Sequence, residues 1–174
     1  LDTVTTDRRT SASSERTSVN KDEVRPGDTV TLSAQLRGTR GEMILEQYPV
    51  AIPAGLPAGK IQLVVGDGST VTASELRRGA TGAPPGLAAA VRELNKLRRN
   101  DRLYVKITNN QPGVVIGGEE YPSLPPSMIA LLDSSRASTR TVAGLANSTV
   151  IEYELPPSKY VLQGQRSLTL SVKP

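Results

Sequence analysis

Alternation of apolar and polar residues with a period of two is the feature that most constrains the fold of this chain. In the clearest run, single polar residues separate Val30, Leu32, Ala34 and Leu36. Because successive residues of a strand lie on opposite faces, this pattern predicts a strand with one buried face. The same alternation returns near residues 61–65, 103–107, 149–155 and 167–172. The sequence therefore predicts a mainly β protein.

Glycine and proline mark the ends of these runs and indicate how the strands connect. The segment Arg25-Pro26-Gly27-Asp28 has the composition of a tight turn. A second strand is expected over about residues 42–52, and Pro49 within it indicates an edge or bulge, because proline cannot donate to a strand ladder. Short strands at this spacing predict an immunoglobulin-like β-sandwich over residues 1–72.

Residues 73–174 follow a different pattern and are expected to form a smaller α+β portion. An amphipathic helix is predicted at about residues 87–99. Its apolar stripe consists of Leu87, Ala90, Val91, Leu94 and Leu97. The sequence leaves open whether this portion is a separate domain or packs as one unit with the first, and it leaves the oligomeric state open.

Composition excludes several kinds of chemistry. The 174 residues include no histidine and no cysteine, so histidine- or cysteine-dependent nucleophile arrangements and the usual zinc sites cannot form. Aromatic residues make up 3% of the chain, too few for a platform that stacks bases. We therefore expect no enzymatic activity, cofactor or metal, and no specific nucleic-acid partner. No apolar run is long enough to cross a membrane as a helix.

The charges suggest one possible interaction surface. The net charge is +4, and the window 75–102 holds seven basic and three acidic residues, which accounts for the whole excess. The candidate surface residues are Arg92, Lys96, Arg98, Arg99, Arg102, Glu119 and Glu120. Clustered cations can contact phosphates, but cations at a helix end are more often a solvated face. The adjacent pair Glu119-Glu120 is read as a surface loop rather than a calcium or acid–base site.

Several motifs resemble a known family when taken together in order. They are EVRPGDTV at 23–30, VAIPAGLPAG at 50–59, LVVGDG at 63–68, LNKLRRNDRLYV at 94–105, GGEE at 117–120 and LPPS at 124–127. In this order they are similar to the region downstream of the peptidase module in large bacterial, notably acidobacterial, relatives of the sporulation factor IV B serine endopeptidases. The similarity covers about residues 19–172.

The resemblance implies a non-catalytic part of a larger protein. The peptidase module of that family has a serine nucleophile in a Gly-Ser-Gly type motif with a histidine partner, and this chain has neither. The resemblance thus implies an accessory or binding module of a secreted or envelope-associated bacterial serine peptidase. Its expected partners are the upstream peptidase domain or a protein or peptide substrate, in an extracytoplasmic location.

Two other classes of function remain open from the sequence. One is a free-standing cell-envelope or adhesion-type interaction domain. The other is a small enzyme that works with carboxylates, which would require acidic side chains to converge in a cleft.

Overall fold

The architecture was analysed on a computed structural model, and it is mainly β, as the alternation predicts. The described residues are 11–78, 97–111, 113–116, 119–121, 125, 127–128, 130, 142–145 and 147–174. The strands in this part are, in chain order, β1 (Ser11–Val19), β2 (Glu23–Val24), β3 (Thr29–Gly38), β4 (Met43–Ala51), β5 (Gly59–Asp67), β6 (Leu103–Asn109), β7 (Gly113–Ile116), β8 (Glu119–Tyr121), β9 (Val142–Leu145), β10 (Ser148–Glu154), β11 (Val161–Gln163) and β12 (Gln165–Val172). One helix is described, α1 (Gly68–Arg78).

The strands form two large sheets and a small one. The first sheet has the strand order β11-β1-β3-β4, and the second has the order β10-β6-β5-β12-β2. Neighbouring strands are antiparallel except for the pairs β1–β11 and β2–β12, which are parallel. The small sheet has the order β8-β7-β9. Strands from both sides of residue 72 lie in each large sheet, because β1 pairs with β11 and β5 pairs with β6 and β12.

Buried side chains of the two large sheets form one apolar cluster. The first sheet contributes Val30, Leu32, Ala34, Leu36, Tyr48 and Val50. The second sheet contributes Ile61, Leu63, Val65, Leu103, Val105, Ile107 and Leu170. These are the apolar positions of the alternating runs, so the predicted buried faces are confirmed. Apart from Tyr48 the residues of these two sets are aliphatic, and truncating one of the buried leucines to alanine is expected to cost about 2–5 kcal/mol.

Strand β6 is buried on both of its faces, which distinguishes it from the alternating strands around it. Its second face carries Tyr104, Lys106 and Thr108. Helix α1 lies against β5 and β6. A lysine on a buried strand face requires acidic partners, because an unpaired buried charge is costly.

The start of α1 is fixed by Asp67, which is buried and closes strand β5. Its carboxylate accepts hydrogen bonds from the Ser69 hydroxyl at 2.5 Å and the Thr70 backbone N–H at 3.0 Å. It also accepts one from the Gly164 N–H at 2.8 Å, in the turn between β11 and β12. Burial alone would raise the pKa of Asp67, but these hydrogen bonds outweigh it and hold the pKa below its ordinary value. One carboxylate therefore caps the helix and ties it to a distant turn.

The helix predicted at 87–99 is wrong at its C-terminal end. Residues 97–99 are not helical, and residues 87–96 lie outside the described part of the chain. The backbone N–H of Arg99 donates to the Tyr104 hydroxyl at 3.0 Å rather than to a helix carbonyl. The Asn100 side chain accepts from the Ser69 N–H at 2.8 Å, so this segment docks on the start of α1. These contacts between distant parts of the chain override the local helical pattern.

Candidate functional site

Four charged side chains from four different elements converge beside Tyr104. Glu75 comes from α1, Arg98 from the segment before β6, Lys106 from β6 and Glu152 from β10. Glu152 and Lys106 are direct cross-strand partners in the β6–β10 register. We call these four residues the ion-pair cluster.

Arg98 holds the ion-pair cluster together with paired hydrogen bonds to both acids. Its Nη1 and Nη2 donate to the two Glu75 oxygens at 2.5 and 2.8 Å. Its Nε and Nη2 donate to the two Glu152 oxygens at 2.7 and 2.8 Å. The guanidinium also lies over the ring of Tyr104, 5.6 Å from its centroid. The Arg98 side chain is only 16% exposed, so little of its donor capacity is left for a ligand.

Lys106 completes the ion-pair cluster from strand β6. Its ammonium contacts a Glu75 oxygen and lies 3.3 Å from a Glu152 oxygen, and its side chain is 7% exposed. The two negative charges and the two positive charges of the ion-pair cluster thus balance. Burial alone would raise the pKa of Glu75, but the hydrogen bonds from Arg98 and Lys106 lower it below its ordinary value. The pKa of Arg98 is raised, because burial is outweighed by the bonds to Glu152 and Glu75. The electrostatics favour fixed ion pairs over proton transfer.

A second set of ion pairs continues from this cluster. Arg102 Nε lies 3.0 Å from Asp101 Oδ1, and its Nη1 contacts Glu154. The hydrogen bond to Asp101 is the main cause of a raised pKa at Arg102. Arg99 reaches the other oxygen of Asp101 at 3.0 Å, with its own side chain 64% exposed. The predicted basic surface is therefore largely neutralised where it is described.

The two sets of ion pairs surround an open depression of about 440 Å³. It is lined by Glu75, Leu97, Arg98, Arg99, Tyr104, Glu152 and Glu154. Each of its charged lining residues is already paired with a residue of opposite charge. Within the described ranges, no group of three or more acidic residues is placed to hold a metal ion.

The remaining predicted site residues do not join this cluster in the described structure. Arg92 and Lys96 lie outside the described residues. Glu119 and Glu120 were predicted on a loop, and this is wrong, because they belong to β8 and pair with Ile116 and Val115 of β7. The side chains of Glu119 and Glu120 are outside the described part. Of the predicted surface, Arg98, Arg99 and Arg102 come together.

The sequence analysis missed Glu75, Lys106 and Glu152. Lys106 carried no signal, because the alternation of Leu103, Val105 and Ile107 places it on the polar face of the strand, where α1 docks in the structure. Nothing local marked Glu75, because the helix that carries it was not predicted.

A second candidate site is the edge of the first sheet. Strand β4 is last in its sheet, and among the described residues its strand partner is β3 alone. The edge position that Pro49 predicted is confirmed. The even-numbered residues of β4 turn their backbone toward β3, as the bonds from Gly38 N–H to Glu42 C=O and from Ile52 N–H to Asp28 C=O show at the two ends of the pairing.

The odd-numbered residues of β4 turn their backbone away from β3. Thr31 stands opposite Pro49, and its backbone groups bond to Asn20 on the β1 side instead. By alternation, Met43, Leu45 and Gln47 direct their N–H and C=O groups outward from the sheet. We call these three residues the open edge.

The open edge has exposed apolar side chains, and beyond its C-terminal end the backbone of β4 has fewer groups free to pair with another strand. Leu45 is 64% exposed and Met43 is 48% exposed. Pro49 has no N–H to offer, and the Ala51 carbonyl already accepts from the Tyr153 hydroxyl at 2.8 Å. Natural edges are usually protected by lysine, proline or a bulge. Here proline protects only the C-terminal part, so the open edge can accept another strand.

Comparison with known proteins adds no assignment, since no family model, curated protein or solved structure matches the chain. The resemblance to the sporulation factor IV B relatives therefore stays a prediction. Among the described residues, no helix is both long and apolar enough to cross a membrane.

Proposed function

We propose that this chain is a non-catalytic binding module that takes an extended segment of another protein onto the open edge. By the resemblance, the partner is the peptidase domain of a secreted or envelope-associated bacterial serine peptidase, or a protein or peptide substrate of it. We also propose that the two large sheets are arranged as an immunoglobulin-like sandwich, an architecture that many cell-surface domains share.

The single observation that carries the proposal is the outward backbone of Met43, Leu45 and Gln47 beside exposed apolar side chains. Strand addition at a sheet edge gains affinity from main-chain hydrogen bonds and specificity from alternate side chains. The partner segment should therefore be extended and should place apolar side chains beside Leu45 and Met43.

The ion-pair cluster supports a structural role for the basic window. Arg98 and Arg102 are held by carboxylates, so they are poorly placed to release counterions from a nucleic acid. The absence of histidine and cysteine from the sequence supports a non-catalytic role.

The test mixes the protein with fluorescently labelled, dephosphorylated casein as an unfolded probe, and follows binding and cleavage together. We expect binding without cleavage, and at least tenfold weaker binding by Leu45→Pro, a change of about 1.4 kcal/mol. Proline removes one outward N–H at a position like that of Pro49, so it leaves the β3–β4 bonds in place.

Leu45→Thr is the matched control, because it shortens the side chain but keeps the N–H and suits a strand. It should bind casein more tightly than Leu45→Pro does. Inhibitor-sensitive cleavage, undetectable binding, or equal binding by wild type and Leu45→Pro would refute the proposal.

A further inference from the structure

The open edge is complementary to itself. Two copies of β4 can meet antiparallel so that Leu45 faces Leu45 of the second copy and Met43 faces Gln47. Each of the three residues of the open edge then stands opposite a residue of the open edge of the second copy. This pairing gives about six hydrogen bonds across the junction.

Neighbouring registers are poorer, which makes the register centred on Leu45 specific. A shift toward the C-terminus places Met43 opposite Pro49 and also places Glu46 opposite Glu46 of the second copy, and like charges directly opposite destabilise a strand pair. A shift toward the N-terminus places Gln47 opposite Gly41, whose φ of 84° is not that of a strand.

The charges along this edge do not oppose the pairing of two copies. On the outward face, Leu45 and Gln47 have the uncharged Gln35 and Ser33 beside them on β3. Arg37, beside Met43, is paired with Glu15 at 3.1 Å. On the inner face, the Glu46 carboxylate accepts from the Tyr48 and Ser158 hydroxyls. Like charges directly opposite would destabilise a strand pair, and this register has none among residues 43–47.

We infer that the partner of the open edge in the isolated protein is a second copy of this chain, paired antiparallel about Leu45. The inference rests on the proposed use of the open edge for strand addition. The paired copies form one continuous sheet, and the contact is short, so the dimer is weak and an extended partner segment competes with it.

The absence of native cysteine makes a disulfide test of this register clean. In a hydrogen-bonded antiparallel pair the facing Cα atoms are about 5.5 Å apart, within the range that a disulfide spans. Leu45→Cys should therefore cross-link to itself under mild oxidation. Gln47→Cys is equally on the exposed face, but its counterpart would lie about 13 Å away along the strands and beyond reach.

The experiment compares dimer yield on non-reducing gels for Leu45→Cys, Gln47→Cys, and a mixture of Met43→Cys with Gln47→Cys. The inference predicts dimer for Leu45→Cys and for the mixture, at least tenfold above Gln47→Cys alone, and loss of this difference in urea. Equal yields for the single variants indicate random collision, and a higher yield for Gln47→Cys indicates an antiparallel register centred on Gln47 instead of Leu45. Either outcome overturns the inference, as does no dimer at all.

No partner protein is present in this experiment, so its result is independent of the casein test. Casein binding that depends on Leu45, together with no Leu45→Cys dimer, would reject the second copy and keep the proposed function.

Discussion

At the scale of single residues, the charged side chains of the ion-pair cluster serve as structural ties. Arg98 joins α1 to β10, and Lys106 backs the same two acids from β6. An arginine whose guanidinium is hydrogen-bonded to two carboxylates holds structural elements together rather than binding a ligand. The basic window of the sequence thus has a structural explanation where it is described.

Removing Arg98 should cost far more stability than removing its neighbour Arg99. Arg98→Ala leaves Glu75 and Glu152 with Lys106 as their common base, and we expect a loss of about 2–4 kcal/mol, between the values for exposed and buried pairs. Arg99→Ala should change stability by no more than about 0.5 kcal/mol, because that side chain is exposed.

Urea unfolding of both variants measures the difference. Equal shifts in midpoint would mean that the ion-pair cluster does not hold α1 against the sheet.

At the scale of elements, the strands with clear alternation were predictable and helix α1 was not. Alternation marked the buried face of β3, because a strand half exposed to water must separate apolar from polar residues. Pro49 indicated an edge or a bulge in β4, because its missing N–H cannot serve a central strand, and the structure shows the edge. Helix α1 was missed because Asp67-Gly68 has the composition of a turn, although Asp67 caps the helix through local hydrogen bonds from Ser69 and Thr70.

The open edge had a signal in the sequence that was not used. Met43 and Leu45 are apolar residues on the exposed face of a strand for which Pro49 had indicated an edge or a bulge. The ion-pair cluster had no comparable signal, since its four residues are far apart in the chain and meet only through the β6–β10 register and the docking of α1.

The packing of segment 97–101 on the start of α1 predicts that alanine at Gly68 and alanine at Gly55 have different effects on stability. A Cβ at Gly68 would lie 2.5 Å from the Arg99 carbonyl oxygen, a backbone atom that cannot move aside alone. Gly68→Ala should therefore cost about 1–3 kcal/mol, as overpacking does. Gly55, which has open space around its Cβ position, is the control, and Gly55→Ala should stay within about 0.5 kcal/mol.

Thermal or urea unfolding of the two alanine variants decides this prediction. If Gly68→Ala were as stable as Gly55→Ala, segment 97–101 would not be packed on the start of α1 as described.

At the scale of the whole molecule, two large sheets share one aliphatic core and leave β4 as an edge that the described chain does not cover. The charged groups of the ion-pair cluster are paired with one another. The backbone of the open edge has unused hydrogen-bonding capacity that suits another polypeptide. This is the central claim of our account.

Residue-resolved amide hydrogen exchange tests that claim most directly, in dilute protein with and without saturating dephosphorylated casein. Ile44 and Glu46 are the internal controls, because their amides bond to β3 and should exchange slowly in both samples. We predict that the amides of Leu45 and Gln47 exchange fast in the dilute free protein and become protected when casein binds. Protection of Leu45 and Gln47 in the free dilute protein, or no change at either when casein is bound, would contradict the account.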